Sequence, residues 1–198
     1  LIGIEVIRDM QAGDVFFESD ILGESIKPRN YKFDRPWGIP VRYYDFHDLT
    51  QDISMDFVEI HFSYRDLDLD PSDYFKEPTN IGLVVHSPEL FAGDHLMDLS
   101  SEDKAYRSRS VAELQRVINR TRELKRFFPR SERPLIIINA GGFTSDHFLP
   151  EGNRLELYDR IGSALTDLDA EGVEVIVQTM PPFPWHFGGQ RYHNLFMD

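Results

Sequence analysis

The chain has 198 residues, 41% of them hydrophobic, no cysteine and a formal charge of −13 at pH 7. It contains no apolar run near the roughly 20 residues that a bilayer span requires, and without thiols it forms neither disulfides nor thiolate metal sites, which fits a cytoplasmic protein. The acidic balance repels phosphate backbones, and its Lys and Arg residues are scattered rather than striped, which argues against nucleic acid as a partner.

The opening stretch, residues 1–27, places two short apolar segments around the turn Gln11-Ala12-Gly13-Asp14 and has no helical period. It lacks both a signal-peptide pattern and an initiator methionine, so the true start is expected upstream. Residues 28–37, which carry Arg29, Lys32 and Arg35 between two prolines, read as a linker. Strands are predicted over 38–46, 56–63, 81–87, 135–139 and 173–178 from their β-branched and aromatic content. A short helix is predicted at Asp70-Pro71, a longer one from Ser110, where Ser110 and Glu113 have capping-box spacing, and a third over 154–171, ending at Gly172.

Strands alternating with helices predict parallel β/α units, and runs such as LVV and LIII must be covered on both faces. No Gly-x-Gly-x-x-Gly follows a strand, so a barrel is preferred to a nucleotide-binding sheet. The predicted class is α/β, a partial (β/α) barrel over residues 38–198. Five strands fall short of the eight a closed barrel needs, so the chain is expected to hold only the first half and to leave an open parallel edge.

Within Phe57-Val58-Glu59-Ile60-His61, alternation puts Glu59 and His61 on one face. A carboxylate and an imidazole sharing a barrel interior are costly unless hydrogen-bonded to each other, to a ligand or to a metal, which makes them catalytic candidates or an ordinary interior polar pair. His86 stands at the C-terminal end of its strand, where barrel enzymes place catalytic groups. Glu89, Asp94 and His95 follow in a loop able to lie over the site. The segment 178–194 joins prolines and Gly188-Gly189 to Trp185, His186, Arg191, Tyr192 and His193, the rigid, aromatic, mixed-donor composition of a sugar pocket or of a long surface loop.

Taken together, Phe57 to His61 (FVEIH), Val84 to Pro88 (VVHSP) and the run LSSEDKAYRSRS from Leu99 resemble the xylose isomerase-like superfamily of TIM barrels, over roughly residues 38–198. The resemblance implies a sugar or sugar-phosphate substrate, with His86 matching the superfamily's histidine after the third strand and Glu59 and His61 lining the pocket. The chain departs from the pattern twice: Asn139-Ala140-Gly141-Gly142 stands where a histidine followed by Pro-Gly is common, and Gln178-Thr179 where a metal-binding glutamate precedes asparagine. A neutral amide binds a hard divalent cation much more weakly than a carboxylate, which puts the usual metal centre in doubt and leaves a divalent metal possible but with no ligands assigned. Asn139 and Gln178 are instead expected to bind sugar hydroxyls with Trp185, His186, Arg191 and His193.

Residues 1–27 also resemble the closing part of an SAF (antifreeze-like) domain. With the barrel, this arrangement is similar to multidomain N-acetylneuraminate synthase family proteins, which implies an upstream synthase domain and a place in sialic-acid-like nonulosonate biosynthesis. Three functions follow from these resemblances: a sugar isomerase or epimerase with Glu59 or His86 as base and His61 or His186 polarising oxygen; a non-catalytic carbohydrate- or partner-binding barrel; and, disfavoured by acidity, a nuclease like endonuclease IV.

Overall fold

The structure, a computed structural model, describes residues 6–17, 20, 33–51, 53–180 and 191–197. In chain order its elements are β1 (Gly38–Val41), α1 (Phe46–Thr50), β2 (Phe57–His61), β3 (Gly82–His86), the two-stranded β4 (Leu90–Phe91) and β5 (His95–Leu96), and α2 (Lys104–Lys125). Then come β6 (Leu135–Ile138), β7 (Phe143–Thr144), α3 (Glu151–Thr166), β8 (Glu174–Val177) and β9 (Tyr192–His193). Single 3-10 turns at Asp66–Asp68 and Pro71–Asp73 lie between β2 and β3; in the second, the Asp70 carboxylate accepts from Ser72 N–H, as a cap before proline should.

The main sheet has the order β1-β2-β3-β6-β8, and all four of its pairings are parallel. Strands adjacent in space follow their order in the chain, as in the first part of a β/α barrel, with β1 and β8 at the two edges. One face is apolar and covered. Val41, Val58, Ile60, Leu83, Val85, Ile136 and Ile138 point to it and are buried, packed with Leu114, Val117, Ile118 and Leu124 of α2 and Leu157, Ile161 and Ala164 of α3. On the other face Glu59, His61, Val84, His86, Leu135, Ile137 and Ile176 are only half-buried, because the strands that would close a cylinder over them are not among the described residues.

Several boundaries differ from those read in the sequence. The first strand stops at Val41 rather than running to residue 46, because Asp45 Oδ1 accepts Arg42 N–H at 2.6 Å and folds the aromatic run into a turn that enters α1. The long helix begins at Lys104, not at Ser110. Its cap is Asp103, whose Oδ1 accepts from Ala105 N–H and Tyr106 N–H, while Ser110 is buried one and a half turns in and its hydroxyl meets His95 Nε2 and Asp98 N–H. The third helix starts after Pro150 and ends at Thr166; Gly172, at φ +76°, serves the turn into β8 instead. In the N-terminal stretch the predicted turn is present, with Asp14 N–H donating to Gln11 O, and Arg8 pairs with Asp20, but no strand forms among the described residues there.

Candidate functional site at the strand ends

The registers bring the polar side chains together. His61 of β2 lies directly opposite His86 of β3, so two imidazoles two residues past the last inward carboxylate must share a level of the interior. They stack face to face, with ring centroids 4.6 Å apart and planes 19° from parallel. His61 Nε2 is 2.6 Å from Glu59 Oε1; a carboxylate only accepts, so Nε2 donates and Nδ1 carries the lone pair. Among the described residues no hydrogen-bond partner meets that Nδ1, and the side chain keeps about a third of its surface open, at 35%.

Burial, and next the charge that His86 can carry, hold the His61 pKa below its ordinary value, with Arg42 acting in the same sense. These outweigh the Glu59 carboxylate, which pulls the other way. His61 is therefore neutral at pH 7, with its tautomer set by Glu59. Arg42, at the end of β1, donates to His61 O at 2.6 Å and lies 4.0 Å from Asp66, so its charge is already engaged.

The second half of the cluster comes from the ends of β6 and β8. Ile138 and Val177 are paired, which sets Asn139 and Gln178 side by side just beyond them. His86 Nε2 lies 3.0 Å from Gln178 Oε1. The amino groups of Asn139 and Gln178 both approach Glu89 Oε1, at 3.4 and 3.5 Å, and Gln178 Nε2 also lies 3.1 Å from Met180 Sδ. Asn139 Oδ1 accepts Gly141 N–H at 3.1 Å. The tight bend that allows this needs glycine: Gly141 sits at φ +92°, and a Cβ there would lie 2.2 Å from Asp98 Oδ1. That Asp98 oxygen holds the neighbouring loop by accepting from Gly142 N–H, Ser100 N–H and Ser100 Oγ–H.

Six residues thus form one connected group: Glu59, His61, His86, Gln178, Glu89 and Asn139. Glu89 was read from sequence only as a loop residue near the site; its place three residues after the strand-end histidine was the available signal. His193 is fully buried in the β7–β9 hairpin, its ring 4.7 Å from Phe143, and Arg191 is exposed and donates to Ser145 Oγ at 3.1 Å. Trp185 and His186 lie outside the described residues. His95 is buried against Tyr106 and Ser110, under the loop rather than over the site.

The group does not fit the divalent metal that the fold family implies. Where a cation would need lone pairs, Asn139 and Gln178 turn their amino groups, which are donors only, toward Glu89. Among the described residues no three His, Asp or Glu side chains converge so as to hold a metal ion. No helix among them is long and apolar enough to cross a membrane.

A parallel β/α half-cylinder with its polar residues gathered at the carboxyl ends of the strands is the architecture of a barrel enzyme fold. Residues 48–196 match the xylose isomerase-like TIM barrel family, and the chain belongs to it. No curated protein sequence matches the chain. Among solved structures, that of a D-tagatose 3-epimerase-like protein is similar, with a TM-score of 0.47 and 19% identity over 73% of this chain and 54% of that one. The chain spans about half the length of that protein.

Proposed function

We propose that this chain is the carbohydrate-handling part of an isomerase- or epimerase-type barrel, in which His61 takes a proton from the carbon beside a sugar carbonyl. The observation that carries the reading is the Glu59–His61 pair: a 2.6 Å hydrogen bond fixes the proton on Nε2 and leaves Nδ1, on a neutral and partly open ring, without a partner among the described residues. Glu59 then stabilises the imidazolium that forms, as a carboxylate behind a histidine does. This assigns the base to His61 and gives Glu59 an orienting role. His86, with Nε2 engaged by Gln178, is the wall against which His61 stacks.

Removing the proton beside the carbonyl leaves an enediolate. Return of that proton by His61 to the neighbouring carbon gives the aldose or ketose isomer, whereas an epimer requires a proton delivered to the opposite face of the same carbon by a second acid. The amino groups of Asn139 and Gln178, only loosely held at 3.4 and 3.5 Å from Glu89, are donors suited to sugar hydroxyls. Trp185, His186 and Arg191 remain candidates for further sugar contacts, whereas His193, fully buried against Phe143, is not one. We extend the proposal to the domain order: residues 1–27 as the end of an SAF domain, 28–37 as linker, 38–198 as the first half of the barrel, and a nonulosonate precursor as the sugar.

A second reading, a barrel that binds carbohydrate without turning it over, is favoured by the amides at the two strand ends. NMR of the protein in D2O with D-tagatose, D-fructose or N-acetylmannosamine separates the two. Deuterium entering the carbon beside the carbonyl supports catalysis. Line broadening of the sugar without deuterium entry supports the binding module, and neither effect with any of the three argues against a site for these sugars.

A further inference from the structure

We propose that Glu89 is a positioning residue that decides, through the amide of Gln178, which nitrogen of His86 carries the proton. The inference deepens the proposed function and rests on it for its catalytic meaning, but it is derived from hydrogen-bond chemistry alone. Asn139 fixes the frame, because its Oδ1 accepts a backbone N–H from Gly141, a donor that cannot be reversed. Its amino group must therefore face Glu89, and Asn139 is buried at 3% exposure, so it has no freedom to turn outward.

Gln178 is constrained in the same way. The end of its amide that lies 3.5 Å from Glu89 Oε1 lies 3.1 Å from Met180 Sδ as well; both neighbours are acceptors, so that end is the amino group. The carbonyl end then faces His86 Nε2 at 3.0 Å and can only accept. His86 Nδ1, meanwhile, is 3.0 Å from Ser87 O, a second oxygen that can only accept. A neutral imidazole has one N–H for these two oxygens. The Glu89 carboxylate sets up this competition: by drawing the amino group of Gln178 it presents the carbonyl to Nε2, the condition under which Nε2 rather than Nδ1 can hold the proton.

Removing that carboxylate lets the Gln178 amide turn over. Its amino group then donates to Nε2, and the His86 proton moves to Nδ1, toward Ser87 O. The arrangement matters at the reacting pair because His86 lies 4.6 Å from His61 ring to ring; a proton held on the Nε2 side keeps His86 tied to the barrel wall.

The test is the long-range 1H–15N spectrum of 15N-histidine-labelled protein at about pH 8, well above the ordinary histidine pKa. His86 is assigned by the loss of its signals in His86→Gln. The wild type is expected to show His86 protonated on Nε2, and Glu89→Met to shift the tautomer ratio toward Nδ1 by about fivefold or more, the scale of one net hydrogen bond. Adding Gln178→Glu to Glu89→Met should restore Nε2, since a carboxylate at that position only accepts. Should Glu89→Met fail to fold, Gln178→Met in the wild-type background reads the same competition and should also favour Nδ1. A wild-type His86 already protonated on Nδ1, or a ratio unmoved in the variant that folds, overturns the proposal. No sugar is present in this experiment, so a tautomer shift in a protein that turns over no sugar would uphold the relay and remove only the catalytic reading.

Discussion

Replacing Gly141 by alanine should be among the most damaging single substitutions available near the site. At φ +92° a residue with a Cβ is strained by about 1–2 kcal/mol. The added carbon would lie 2.2 Å from Asp98 Oδ1, 2.5 Å from Asp98 Cα and 2.7 Å from Asp98 Cγ, so a backbone atom as well as a side chain must move. Overfilling of this kind costs about 1–3 kcal/mol. Swinging the Asp98 carboxylate aside also gives up its bonds from Gly142 N–H, Ser100 N–H and Ser100 Oγ–H, and hydrogen bonds to a charged group are worth about 1.5–3 kcal/mol. Because these contributions share the same displacement, the expected loss is about 3–5 kcal/mol, a large part of the roughly 5–15 kcal/mol that holds a domain folded. Urea denaturation followed by far-ultraviolet circular dichroism measures it. A Gly141→Ala protein within about 0.5 kcal/mol of the wild type would refute the reasoning, since that is the range of an unremarkable surface change.

The same substitution at Gly162, exposed in the middle of α3 with nothing within 4 Å of the added carbon, should instead stabilise by about 0.5–1 kcal/mol in the same urea titration. Tyr43 is buried with no partner for its hydroxyl among the described residues, and burial pushes its pKa up; Tyr43→Phe removes an unsatisfied group and should leave stability equal or raise it by about 1 kcal/mol, whereas a loss above that would reveal a hidden bond. His61 and His95 both have pKa values lowered chiefly by burial, so the unfolded chain binds protons before the folded one does as pH falls. Their contribution is complete above about pH 6.5 and is lost as pH falls below that value through the lowered folded pKa values; melting temperatures in a series from about pH 8 to 5 should fall, and less steeply in His61→Gln.

The parts of the fold that depend on local pattern were legible in the sequence. Alternation in Phe57–His61 placed Glu59 and His61 on one face and Val58 and Ile60 on the other, because a strand repeats every two residues and one face here is covered by helices. What sequence could not show was register: nothing local to β2 or β3 states that His61 stands opposite His86, and the stack follows from that pairing. Ser110 misled because Ser-x-x-Glu has the spacing of a cap, yet Glu113 is occupied by Arg116 and Ser110 serves His95 from inside the helix. Glu89 is hard to read from sequence for a related reason. Its role depends on two amides contributed 50 and 89 residues later in the chain, a separation no window of sequence spans.

If a Glu59-oriented His61 moves a proton on a sugar, the rate of deuterium entry into the sugar that the wild type exchanges, compared between wild type and His61→Gln, reads that step. Measurable entry beside the carbonyl is expected for the wild type and a loss of about 100-fold or more in the variant, the lower end of what a general base contributes. Entry at an undiminished rate in a folded His61→Gln protein would contradict it.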